Sequence, residues 1–107
     1  AARNQPVAAP PPAKATRDDR QAGKQARARL AEATRPLRIE IQRIDERLAR
    51  LADERAEVEA LLASADTRPD DFAELGRRLT HVNAEQHLLE ERWLEAQAEL
   101  EALQAGA

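Results

Sequence analysis

Apolar residues recur along two tracts of the chain at alternating intervals of four and three. The first tract runs Leu37, Ile41, Ile44, Leu48, Leu51, Arg55, Val58 and Leu62, with Arg55 its one polar break. The second runs Phe72, Leu75, Leu79, Val82, Gln86, Leu89, Trp93, Ala96, Leu100 and Leu103, broken only by Gln86. Each sustains the heptad template of a coiled coil for more than three repeats. Leu62 and Phe72 are ten positions apart, which is not a multiple of seven, so the seam loses phase over "SADTRPDD", residues 64–71. Pro69 falls there, and Thr67 with Asp70 has the spacing of a capping box. Asp70, Asp71 and Glu74 suit the positive end of a following helix. The pattern predicts an all-α fold: an antiparallel two-helix coiled-coil hairpin over residues 36–105, with its turn near 64–68.

Charge selects the register. If facing seam residues have numbers summing to about 130, the flanking pairs are Arg38–Glu90, Glu40–Arg92, Arg47–Glu85 and Glu54–Arg78, all opposite in sign. A slip of one heptad opposes Glu40 to Glu99, Arg47 to Arg92, Glu54 to Glu85 and Asp45 to Glu90, all alike. The favoured register sets Phe72 near Val58, Leu79 near Leu51, and Trp93 near Leu37. Trp93 then serves as a packing anchor, because one large ring covers area that the alanines around it do not. Arg55 is expected to lay its stem along the seam and reach an acidic residue on the flank. Ile39, Leu88 and Leu94 lie off the seam and leave two readings open. They are ordinary exposed residues, or they receive Ala26, Leu30 and Ala33 as a partial third layer.

Ahead of the hairpin the pattern changes twice. Residues 1–15 are rich in proline and alanine, and Pro10-Pro11-Pro12 favours extended geometry, so they read as a disordered linker. Residues 16–35 are basic, alanine-rich and helix-prone, and we expect a partly helical segment that ends at a helix start or kink at Thr34-Arg35-Pro36. Charge follows the same division. Residues 1–29 carry seven basic and two acidic side chains, whereas residues 30–107 carry ten and eighteen, for a net charge of −3 overall. A basic arm on an acidic body points to a polyanion. The candidate contacts are Arg17, Arg20, Lys24, Arg27, Arg29, Arg35 and Arg38. No aromatic residue is interleaved among them, so any nucleic acid would be held by its backbone, with little sequence preference. A solvated linker helix is the competing reading.

Other chemistries find no support in the residues. The chain has no cysteine, and His81 and His87 are six apart, the wrong spacing for a metal on one helix face, so both are read as exposed. Ser64, the sole serine, has no histidine or glycine elbow near it. Gly23, Gly76 and Gly106 stand isolated and form no phosphate loop. We therefore expect a domain that is not an enzyme and holds no metal or cofactor. The apolar runs are too short to cross a bilayer, and no apolar signal region is visible. The chain opens on Ala1 and reads as a piece of a longer, cytoplasmic protein.

"TRPLRIEIQRIDERLARL", a short turn with "DDFAEL", and "EERWLEAQAELEAL" together resemble the C-terminal coiled-coil domain of the ATP-binding-cassette family F proteins, over about residues 17–104. The Trp93-Leu94-Glu95 step and the "RPLR" of residues 35–38 carry most of the likeness. The resemblance implies a C-terminal accessory module of a cytosolic ATPase with two tandem cassettes. ATP and magnesium would belong to those cassettes, and the Pro-rich stretch would be the linker from the second of them. It also implies contact with DNA, as in the Uup-like branch, or with ribosomal RNA or protein, as in members that act on the ribosome. Here the acidic hairpin departs from a basic arm, which confines the expected contact to the N-terminal portion. A spacer or protein-interaction coiled coil without nucleic-acid binding is the alternative. Pairing within one chain implies a monomer.

Overall fold

The computed structural model describes residues 16–107; the linker expected over 1–15 lies outside them. Two long helices and a short connection make up the fold. α1 spans Arg17–Ala63, η1 is a single 3-10 turn at Pro69–Asp71, and α2 spans Phe72–Ala105. The two α-helices lie antiparallel and share one thin core. At 1.5 Å per residue α1 is about 70 Å long and α2 about 50 Å.

α1 begins at a reciprocal cap. Thr16 Oγ1 accepts from the Asp19 N–H at 3.0 Å, and Asp19 Oδ2 accepts from the Thr16 N–H at 3.2 Å, which satisfies two amides that the first turn leaves open. The helix then runs through Pro36 without a break. This corrects the first of the two outcomes expected at residues 34–36, a helix start. Proline there removes one backbone donor and disfavours helical geometry at Arg35. Two circumstances offset the cost. Glu32, whose carbonyl loses its partner, is exposed together with Pro36, so water can reach it. On the opposite side Thr34 is 1% exposed and donates through Oγ1 to the Ala31 carbonyl at 3.3 Å. Thr34 and half-buried Leu30 carry the seam past the proline, so burial on both sides holds the helix together.

The core is the seam read from the heptads. Ile41, Ile44, Leu51 and Val58 of α1 are buried, as are Leu75, Val82 and Ala96 of α2, while Leu37, Leu48, Leu62, Leu79, Leu89 and Leu100 are half-buried. Bidentate ion pairs flank it. Arg47 donates to both carboxylate oxygens of Glu85 at 2.6 and 2.8 Å, and Arg92 to those of Glu40 at 2.7 and 2.6 Å. Both pairs belong to the expected register. Arg38 and Glu54 make no such bond to Glu90 or Arg78 among the described residues. Arg55 reaches Asn83 Oδ1 at 3.0 Å instead of a carboxylate.

Two details at the turn depart from expectation. Thr67 does not cap a helix; its hydroxyl donates back to the Leu61 carbonyl, and Ser64 and Thr67 close successive backbone turns. Phe72, the first residue of α2, is 41% exposed and does not close the seam, which Leu75 does. Among the described residues there is no third layer. Ile39, Leu88 and Leu94 are exposed, and Ala26, Leu30 and Ala33 instead line a crevice with Leu103, Gly106 and Ala107 at the end of α2.

Trp93 is half-buried, and its Nε1 is buried with no hydrogen-bond partner. An orphaned donor costs about 1–3 kcal/mol, which subtracts from what the ring contributes by covering the seam. Trp93→Phe should therefore change the unfolding free energy by less than about 1 kcal/mol, whereas Trp93→Ala should lower it by about 3 kcal/mol. Pro36→Ala, which restores a helix-interior amide, should raise it by about 1–3 kcal/mol. Chemical denaturation of the variants measures all three.

Candidate nucleic-acid interface

Helix geometry divides the seven candidate cations into two groups. At 3.6 residues per turn, Arg17, Arg20, Lys24, Arg27, Arg35 and Arg38 fall within an arc of about 80° on α1. Arg29 lies on the other flank, the one that carries Glu40 and Arg47 into their ion pairs with α2. Reading the residues by density alone grouped all seven; their phase, legible in the spacing of 17, 20, 24 and 27, separates them. The stripe from Arg17 to Arg38 is about 32 Å long.

All seven side chains are exposed, and none enters an ion pair among the described residues. Shallow hollows run along the stripe. One is lined by Arg17, Arg20, Lys24 and Arg27 together with the acidic Asp19, another by Thr34, Arg35 and Arg38 among others. Arg17, Arg20 and Lys24 project beyond the end of α2, while Arg27 and Arg29 sit beside its last residues in the terminal crevice. A cation at that place also faces the negative end of the α2 dipole, where α2 itself has no basic residue in its last turn.

The rest of the molecule is of opposite sign. Residues 39–107 hold eight basic and seventeen acidic side chains. Several of these are committed to structure. Arg92 is shared by Glu40, Glu95 and Glu99, and its guanidinium is held protonated first by the Glu40 hydrogen bonds and then by Glu99. The Glu40 carboxyl is held below the ordinary range chiefly by the hydrogen bond from Arg92, and Glu85 likewise by Arg47. His81 and His87 are exposed; His87 Nε2 lies 3.1 Å from Glu91. No group of three or more metal-ligating residues occurs among the described residues, and no described helix is long and apolar enough to cross a membrane.

The stripe offers a row of exposed cations to anionic groups. It has no aromatic face for stacking, and Trp93 is engaged in the seam. The family model of the ABC transporter C-terminal domain matches residues 32–98 of the chain. Comparison with curated proteins found no match, and comparison with solved structures found none.

The two interhelical ion pairs make stability depend on acid pH in a defined direction. A carboxyl whose folded pKa is depressed stabilises the fold above its unfolded value, about 4.3, and that contribution disappears as pH falls through the lower folded value. The melting midpoint of the native chain should exceed that of Glu40→Gln/Glu85→Gln at pH 7. The gap should narrow progressively below about pH 4. A gap of constant size across that range would contradict the assignment.

Proposed function

The chain belongs to the ABC transporter C-terminal domain family, and from that premise we propose that it contacts nucleic acid through the basic flank of α1. It is an accessory C-terminal module of an ABC protein. The finer reading is a cytosolic ATPase of family F with tandem cassettes. Those cassettes bind ATP and magnesium and carry the hydrolysis, and this module, a monomer, contributes no catalytic group.

One observation carries the reading: six cations share one face of a continuous helix, exposed and unpaired among the described residues. None of them is committed to an interhelical ion pair, as Arg47 and Arg92 are. A stripe about 32 Å long follows a duplex for roughly one turn, and the acidic hairpin repels the same polyanion, so the nucleic acid lies at the root of the hairpin. Duplex DNA and structured ribosomal RNA offer the same phosphates, and neither is read by base under this geometry.

Binding to a labelled DNA duplex and to a double-stranded RNA, each across a salt series, tests the proposal. Six phosphate contacts give a slope of log K against log salt of about −5. Arg27→Glu should weaken binding about tenfold or more and flatten the slope. Arg29→Glu should do much less, because its head lies on the far side of a helix about 10 Å wide, a full screening length away. Equal losses for Arg27→Glu and Arg29→Glu, or no binding to either duplex at low salt, would leave a spacer or protein-interaction coiled coil.

A further inference from the structure

The first turns of α1 differ from the rest of the helix in what holds them. Every residue from Thr16 to Arg29 is exposed apart from Gly23. α2 ends beside Ala26 to Ala33, so residues 17–25 project past it as an arm. Local interactions within the arm also oppose the helix. The charged residues between positions 17 and 27 are Arg17, Asp18, Asp19, Arg20, Lys24 and Arg27. Among them the pairs spaced by three or four are Arg17–Arg20, Arg20–Lys24 and Lys24–Arg27, and each is like-signed, which destabilises a helix. Arg17 and Arg20 stand at the positive end of the α1 dipole, where cations are disfavoured. Gly23 adds the entropic cost of a glycine inside a helix. Only the Thr16–Asp19 cap and the acidic Asp18 and Asp19 of the first turn act in the other direction.

The covered part of α1 is built differently. Thr34, Ile41 and Ile44 are buried in the seam, and Glu32 stands three positions from both Arg29 and Arg35, with opposite charge. A segment with little apolar burial opens locally at low free energy, whereas a packed one opens only with the fold. The arm is therefore less stable than the helix it continues. A polyanion removes two of its defects at once. Phosphates among Arg17, Arg20, Lys24 and Arg27 neutralise the like-charged row, and they bring negative charge to a helix N-terminus.

We propose that helix closure of the arm and phosphate binding by the stripe are thermodynamically linked, so that arm stability sets the affinity and a bound polyanion holds the arm closed. The inference rests on the nucleic-acid reading of the stripe and adds its regulation. In the closed arm Arg17, Arg20 and Lys24 share a face with Arg27; an opened arm loses that phase. Apparent affinity then scales with the closed fraction. A residue that touches no phosphate can tune binding, and positions 22 and 23 are suited to it. Ala22 is exposed and lies on the side of α1 opposite the stripe. A Cβ at position 23 would meet only Arg27 Nη1, at 3.4 Å, so alanine fits there.

Amide hydrogen exchange of the full chain, free and with a saturating DNA duplex, tests the linkage beside duplex titrations. Ala22→Gly, the native chain and Gly23→Ala form a series of equal charge. In the free chain, exchange over residues 20–27 should slow about fivefold at each step of the series. Saturating duplex should slow it about tenfold or more in the native chain, with little change over residues 75–96. The duplex dissociation constant should fall along the series, about twofold or more from end to end. The slope of log K against log salt should stay nearly constant, because no cation is gained or lost. Arm amides as protected as the seam in the free chain, arm amides that the duplex leaves unprotected, or equal affinity across variants whose exchange differs would each overturn the linkage while the nucleic-acid reading stands. If no duplex binds, that reading falls and inorganic tripolyphosphate decides the linkage. Slowed exchange over residues 20–27 in its presence supports it for phosphate alone, and unchanged exchange sinks it.

Discussion

A two-helix hairpin buries one stripe from each helix, so its architecture depends on a single register. That register is held jointly by the apolar seam and by two guanidinium–carboxylate forks, Arg47 on Glu85 and Arg92 on Glu40. The seam alone is periodic and tolerates a slip of seven residues with modest loss. The forks do not tolerate it: slipped by one heptad, Arg47 would oppose Arg92, and Glu40 would oppose Glu99. Exposed pairs of this kind add little stability individually. Their contribution here is selection among near-equivalent alternatives, and geometry makes that selection sharp because a bidentate fork fits one partner position.

Once the register is fixed, the unequal lengths of the helices decide what is left uncovered. α2 ends beside Ala26–Ala33, so the first turns of α1 project past it. An isolated projecting segment of that length is marginal as a helix in water. It stays helical because it continues one that is already nucleated and packed, and because Thr16 and Asp19 cap its start. The basic stripe is thereby presented on a preformed surface, and six cations are held in phase with each other before any ligand arrives.

The coiled-coil hairpin was legible in the sequence because heptad spacing and charge sign are one-dimensional signals. The turn, most of the seam residues and two of the four counted ion pairs follow from counting. Several features were not legible, and three of them have a plain physical reason. Pro36 signals a helix boundary locally, and only the seam on either side of it, through Leu30 and Thr34 as well as Leu37, outweighs that preference. Thr67 and Asp70 have capping-box spacing, but the chain turns before it re-enters a helix, and the hydroxyl finds the Leu61 carbonyl first. Phe72 continues the heptad count, yet at the first position of α2 it stays 41% exposed, and Leu75 is the first residue of that helix to be buried. In each case the missing information concerns which partner is close in space. The division of the candidate cations into a stripe of six and a solitary Arg29 was present in the spacing, and it acquires meaning only when α2 is known to occupy the other flank.

The continuity of α1 links these findings to function. A boundary at Pro36 would leave the basic segment free to reorient against the hairpin, and contact at one end would carry no information to the other. An unbroken helix removes that freedom. The stripe and the seam then lie on one continuous helix, with net positive charge at its N-terminal end and net negative charge along the rest. Such a charged rod orients in the field of a polyanion before contact, root first and tip outward. Under the proposed contact, the asymmetry that favours phosphate at the root would also set which way the tip points.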